Sequence, residues 1–244
     1  MTLPGYTGAP PYFSMPDTPA PFSLVGATSH GFSLKAVSNT TVRVDWGDGT
    51  FTVKQVGASN VTFSHTYSQS FTGEIKISEP SRIKEVANFT GNLSSVRWTT
   101  QQMSALRALS SIIANQTQIS GDIADLPAPL TYAYFSGAAM TLSGDIADLP
   151  APLATAYFNG AAMGINDYTG PISFSYGLTR LELISSAPNG LASSEVDQLI
   201  IDFAAVRTAN NGVLSLPASN APRTAASDAA VASLVSAGWT VVTA

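Results

Sequence analysis

From Phe22 to Ile77, apolar and polar residues alternate in short runs: Phe32-Ser33-Leu34-Lys35-Ala36-Val37, Val42-Arg43-Val44-Asp45-Trp46, Phe51-Thr52-Val53, Val61-Thr62-Phe63 and Glu74-Ile75-Lys76-Ile77. A period of two turns one side of each run inward and the other toward water, and the closely spaced turns predict a small β-sandwich over residues 26–79. Asp48-Gly49 is its hairpin turn, with glycine taking the positive φ. Past Asn189-Gly190 the period lengthens. Val196, Leu199, Ile200, Phe203 and Val206 recur at spacings of three and four, which predicts a helix capped by Ser193 or Ser194. Gly212–Leu216 then reads as a strand. Pro222 and Thr224 open a second helix carrying Val231, Leu234 and Val235, which stops at Gly238, and Trp239–Val242 is a closing strand.

Between these regions the chain repeats itself. Residues 120–142 return as 143–165 at an offset of 23 residues, with 18 of 23 positions identical. A period in the twenties implies a solenoid, in which each unit hides its apolar side against the next. Leu130-x-x-Ala133-x-Phe135 and Leu153-x-x-Ala156-x-Phe158 fit the leucine-rich-repeat template. Leu178-x-x-Leu181-x-Leu183 repeats it, and Leu93-x-x-Val96-x-Trp98 reads as a first turn. Leu109-x-x-Ile112 follows Val96 too closely for a complete unit, so Leu106–Ile119 reads as an irregular or helical turn whose repeat register stays open. The segment Leu142-Ser143-Gly144-Asp145-Ile146 resembles the LSGxIP stretch of the plant-type repeat, with its proline displaced to Pro150.

Asp45-Trp46-Gly47-Asp48-Gly49-Thr50, followed by Ser64-His65-Thr66-Tyr67-Ser68, resembles the WDFGDGT and HxY motifs of the PKD-like, immunoglobulin-type domain, one residue being missing between Trp46 and Gly47. The tail, ending SAGWTV, resembles the C-terminal cap of repeat proteins from phage and bacterial surfaces. The expected fold is therefore mainly β with some α: a proline-rich arm (1–25), a PKD-like β-sandwich (26–79), a short leucine-rich-repeat solenoid (80–190) and an α/β capping region (191–244).

Composition narrows the function. Sixteen acids against eleven bases leave a net charge of −5, too acidic for a phosphate-binding surface, so no nucleic-acid partner is expected. Charged residues reach only 11%, against roughly 25% in ordinary soluble domains. That suits a subunit covered by neighbours, an oligomer or part of a larger assembly. There is no cysteine, which removes thiolate zinc sites, redox pairs and cysteine nucleophiles. Met1–Ser14 has neither a basic nor an apolar segment of the secretory type, and no run is long enough to span a bilayer, so residence in the cytoplasm of synthesis and no membrane insertion are expected. Pro4, Pro10, Pro11, Pro16, Pro19 and Pro21 keep the arm extended, while Tyr6, Tyr12, Phe13 and Phe22 give it contacts for anchoring to a partner.

Candidate chemistry is sparse. Only His30 and His65 are available as bases, and no GxSxG elbow accompanies them, so no enzyme and no cofactor are expected. His65 reads as a hydrogen-bonded strand-end residue. Asp45 and Asp48 are weak calcium candidates, with turn closure as the simpler reading. Asp122 and Asp125 recur as Asp145 and Asp148, stacking like charges that turn capping or a cation must relieve. If Ala133, Phe135, Ala156, Phe158, Leu181 and Leu183 point inward, alternation exposes Tyr132, Tyr134, Thr155, Tyr157, Asn159, Arg180 and Glu182 on one surface. Such a surface suits a host-surface glycan or protein, and a tyrosine ladder bracing the strands accounts for Tyr134 and Tyr157 equally well.

Together these features resemble modular virion proteins of tailed phages: capsid decoration proteins, head fibres and tail adhesins. The resemblance implies a non-enzymatic structural or adhesion protein of the virion, assembled in the host cytoplasm and held to other virion proteins by its N-terminal arm. A bacterial cell-surface or secreted leucine-rich-repeat adhesin is the alternative.

Overall fold

Alternating runs with apolar residues on one side must pair edge to edge and bury that side, and the computed structural model shows how they do so. It describes residues 20–91, 96–115, 118–137, 140–160, 163–171, 177–185, 190–217 and 219–244. The protein is mainly β, built on one large mixed sheet. Strand β1 (Ala20–Ala36) lies antiparallel to β4 (Val61–Ile77), from Ala20 opposite Ile77 to Leu34 opposite Val61, with irregular pairing between Leu24 and Ser29. Strands β2 (Thr40–Asp45) and β3 (Phe51–Val56) form a hairpin whose first strand also reaches the end of β4 at Val44–Ile77. Phe32, Leu34, Val42, Val44, Trp46, Phe63, Ile75 and Ile77 fill the space inside these strands. The hairpin turns at Gly47 (φ +81°), where a Cβ would stand 2.4 Å from the Glu74 carbonyl oxygen, so only glycine fits.

Two expectations change here. Residues 20–25, assigned to the arm, are strand: Ser23 and Leu24 pair on both sides, because alternation begins before Phe32. The runs at Val61–Phe63 and Glu74–Ile77 are the two ends of the single strand β4, and His65 lies within it rather than at an end.

Strand β1 then divides its second edge. Its C-terminal half pairs β5 (Ile83–Gly91), with Leu34 opposite Val86, while Ser23 and Leu24 pair β6 (Val96–Thr99). Each continues into a parallel series. From β5 run β7 (Ser111–Asn115), β9 (Tyr132–Ser136), β11 (Thr155–Gly160), β13 (Arg180–Ser185), β14 (Val213–Leu216) and β15 (Thr240–Thr243). From β6 run β8 (Gln118–Asp122), β10 (Thr141–Asp145) and β12 (Gly164–Asp167). Each repeat thus supplies one strand to each series. Ala156 pairs with Ala133 and Phe158 with Phe135, so the 23-residue period places identical residues side by side. Phe135 and Phe158, both fully buried, meet at 5.5 Å between ring centroids. Burying such a ring contributes about 2–3 kcal/mol.

The division corrects two sequence assignments. Val96-x-Trp98 belongs to β6 in the second series, so it is not equivalent to Ala133-x-Phe135; Leu93 lies outside the described residues. Leu109-x-x-Ile112, read as an irregular turn, is a complete unit: Leu109, Ile112 and Ala114 are buried, and Ile112 pairs with Val86 and Ala133. The short spacing that argued against it joined strands of different series.

Of the repeated aspartates, Asp122 and Asp145 cap turns. Asp122 Oδ1 accepts the Ala124 N–H at 3.0 Å and Asp145 Oδ1 the Ala147 N–H at 2.8 Å, each opening a short 3-10 turn that carries the chain from one series to the other. Gly144 (φ +121°) lets Asp122 lie against the next repeat, since a Cβ there would sit 2.4 Å from Asp122 Oδ1. Helix α1 (Thr100–Ser104) has a capping box, Thr99 Oγ1 accepting from Gln102 N at 3.1 Å and Gln102 Oε1 from Thr99 N at 2.9 Å. At the C-terminal end, helices α2 (Ser193–Val206) and α3 (Asp228–Ser236) pack on each other. The first is capped from Ala192, whose N–H donates to Glu195 Oε2 at 2.7 Å, in place of the expected serine. Leu234 of α3 is buried, but Val235 faces solvent. Trp239 closes this end, its ring edge against Phe203 at 4.9 Å and its Nε1 donating to the Ala209 carbonyl at 3.0 Å.

Candidate functional site

The parallel pairing of β9, β11 and β13 decides what the expected surface looks like. Thr155 stands between Tyr132 and Arg180, Tyr157 between Tyr134 and Glu182, and Asn159 between Ser136 and Ile184. All seven residues singled out in the sequence are therefore neighbours on one face. Pairing also widens that face beyond the sequence-based set. Ser111 and Ile113 of β7 stand beside Tyr132 and Tyr134, Glu85 of β5 beside Ser111, and Ser215 and Val242 continue the Tyr157–Glu182 row. The register at Leu109-x-x-Ile112 was the signal for Ser111 and Ile113.

The rings of Tyr134 and Tyr157 stack face to face, 4.4 Å between centroids and 6° from parallel. The Arg180 guanidinium carbon lies 5.7 Å from the Tyr157 centroid on the β13 side, a cation–π contact. The flat faces of Tyr157 are thus taken by Tyr134 and Arg180, which leaves its ring edges uncovered by them. Asn159 Nδ2 donates to Tyr157 Oη at 3.1 Å. Burial first, then the neighbouring Tyr157 through charge and hydrogen bonding, raises the Tyr134 phenol above its ordinary value, so it stays protonated at neutral pH. Both cations of these rows are neutralised in place. Arg180 Nη2 pairs with Glu182 Oε1, and Lys35 Nζ with Glu85 Oε1 at 2.8 Å, both carboxylates being buried.

A second cluster sits at the β2–β3 hairpin. His65 Nε2 and Asp48 Oδ2 are 2.7 Å apart, the imidazole stacks on Trp46 at 5.2 Å, and the Tyr67 ring meets it edge-on at 4.5 Å. Asp48 Oδ1 accepts from Thr50 N at 3.0 Å and Thr50 Oγ1 at 2.6 Å. The Thr50 hydroxyl foremost, with His65 and the Thr50 N–H adding to it against a desolvation cost, holds the Asp48 carboxyl at about 2. Asp45 Oδ1 accepts from Gly47 N at 3.0 Å. The two calcium candidates spend these oxygens on their own turn, and no group of three or more histidine or carboxylate side chains suited to a metal ion occurs among the described residues. A depression of about 300 Å³ beside them is lined by Asp45, Gly47, Glu74 and Lys76.

His30 is 2% exposed, opposite His65 in the β1–β4 pair and between the rings of Phe32 (5.7 Å) and Phe89 (6.0 Å). Burial lowers its pKa to about 4, only partly opposed by the Thr90 backbone, which leaves the imidazole neutral at pH 7. Of the anchoring aromatics, Tyr6, Tyr12 and Phe13 lie outside the described residues, and Phe22 stands in β1 opposite Ile75. No helix of the described residues is long and apolar enough to cross a membrane. No family model, no curated protein and no solved structure matches the chain.

Proposed function

We propose that the chain is a non-enzymatic structural and adhesion protein of a phage virion, a capsid decoration protein, head fibre or tail adhesin, anchored through its N-terminal part. In this reading β1–β4 are a PKD-like sandwich, the two parallel series are the two sides of a short leucine-rich-repeat solenoid, and α2, α3, β14 and β15 are its cap. The observation that carries the reading is the in-register polar face of β9, β11 and β13, which widens by one strand per repeat and presents a surface rather than a cleft. Its ring faces and charges are paired with one another, which is not the arrangement of an activated nucleophile beside its base. The aromatics Tyr6, Tyr12 and Phe13 supply the anchor.

Mass spectrometry and electron microscopy of purified particles test this directly. The protein is expected at a fixed stoichiometry on the particle, and removing residues 1–19 is expected to leave melting unchanged while abolishing attachment. Full occupancy by the truncated protein overturns the anchor, and absence from particles overturns the virion assignment in favour of a cell-surface or secreted adhesin.

A further inference from the structure

We propose that the ligand of this face is a neutral polysaccharide, lying across the strands and held by the phenol groups of Tyr132, Tyr134 and Tyr157 and the amide of Asn159. The inference rests on the display reading above and adds the chemical class of what is bound.

Four observations carry it. The ring faces of Tyr157 are covered by Tyr134 and Arg180, so the stack meets a ligand through its edges and hydroxyls. Asn159 Nδ2 already donates to Tyr157 Oη, which leaves the amide oxygen as an acceptor and a second amide N–H as a donor outside that bond. Sugar hydroxyls, each both donor and acceptor, match such a mixed row; a purely accepting sulfate or carboxylate does not. Charge points the same way. Arg180 and Lys35 are each paired with a buried carboxylate, Glu182 and Glu85, so a polyanion would have to compete with a pair already formed. Parallel pairing sets Tyr132 beside Thr155, Tyr134 beside Tyr157 and Ser136 beside Asn159 on strands about 4.8 Å apart, so polar groups continue from strand to strand, which suits a polymer running along the rows better than a single sugar. A protein partner would draw its affinity from aromatic anchors seated in pockets, whereas these tyrosines are committed to each other.

The test is affinity electrophoresis of the full chain through gels containing an α-glucan, a β-1,4-glucan or a galactomannan, with alginate and heparin as polyanions, at low and high salt. Retardation by at least one neutral polymer, insensitive to salt, is expected. Tyr157→Phe keeps the stacked ring and removes the hydroxyl, so it is expected to keep the wild-type urea midpoint while weakening retention about fivefold, the order of one hydrogen bond. Retardation by the polyanions alone, no retardation by any of the three neutral polymers, or wild-type retention by Tyr157→Phe or by the double variant Tyr134→Ser/Tyr157→Ser overturns the inference. Particle composition separates the two readings. A chain found on particles that no neutral polymer retards loses only this inference, whereas a chain retarded by them but absent from particles keeps it and loses the virion assignment.

Discussion

Acidifying the protein from pH 7 to pH 4 brings it to the point where His30 takes up a proton inside an apolar enclosure. Its pKa is about 4 in the folded state, against about 6.5 when the chain is unfolded and the ring is in water. The unfolded state therefore binds the proton first, and stability falls as pH drops below about 6.5, with the loss complete once pH passes below the folded value. The shift corresponds to a loss of about 2 kcal/mol by pH 5 and about 3 kcal/mol by pH 4. Asp48 acts in a separate window: its contribution is full above its ordinary carboxylate range and is lost only as pH falls toward about 2. Asp167 shifts the other way, held up first by its hydrogen bond to Glu195, and so favours the folded state at low pH and loses that contribution as pH rises. Comparison with His30→Met removes these shared terms, since methionine fills the space between Phe32 and Phe89 without a titratable group. Urea unfolding at a series of pH values should show the variant gaining about 3 kcal/mol on the wild type between pH 7 and pH 4. A difference that stays constant within about 0.5 kcal/mol across that range would refute the reasoning.

Gly144→Ala places a Cβ 2.4 Å from Asp122 Oδ1 at φ +121°, and should cost about 2 kcal/mol or more by urea unfolding. Gly49→Ala, at φ +89° with open space around it, should cost only about 1 kcal/mol, and equal losses would show that the contact is unimportant. Phe158→Ala removes a fully buried ring between repeats and should lower stability by about 3–5 kcal/mol, with a smaller loss indicating that the neighbouring repeat collapses into the space. Thr50→Val removes the hydroxyl that contributes most to the low Asp48 pKa; NMR titration of the Asp48 carboxyl should find its pKa raised toward the ordinary aspartate value, and an unmoved pKa would place the cause elsewhere.

Alternation and the 23-residue repeat by themselves determined that the chain is mainly β, which residues of each repeat point inward, and that Tyr132, Tyr134, Thr155, Tyr157, Asn159, Arg180 and Glu182 share a surface. These properties are local: a strand's two sides follow from a period of two, and identical repeats pair identical residues. The α2 pattern was legible for the same reason, with Val196, Leu199, Ile200 and Phe203 all buried. Series membership was not legible. Leu93-x-x-Val96-x-Trp98 and Leu109-x-x-Ile112 carry the same spacing, yet β6 and β7 lie in different series because β1 pairs β6 with one end and β5 with the other. That choice depends on contacts between residues 47 to 74 apart, which no window along the chain contains. Likewise alternation places Tyr134 and Tyr157 on the same face, but only the side-chain packing turns them ring to ring and sets Arg180 beside the stack. Rotamer and neighbour are fixed together by close packing, and so are decided by the tertiary structure alone.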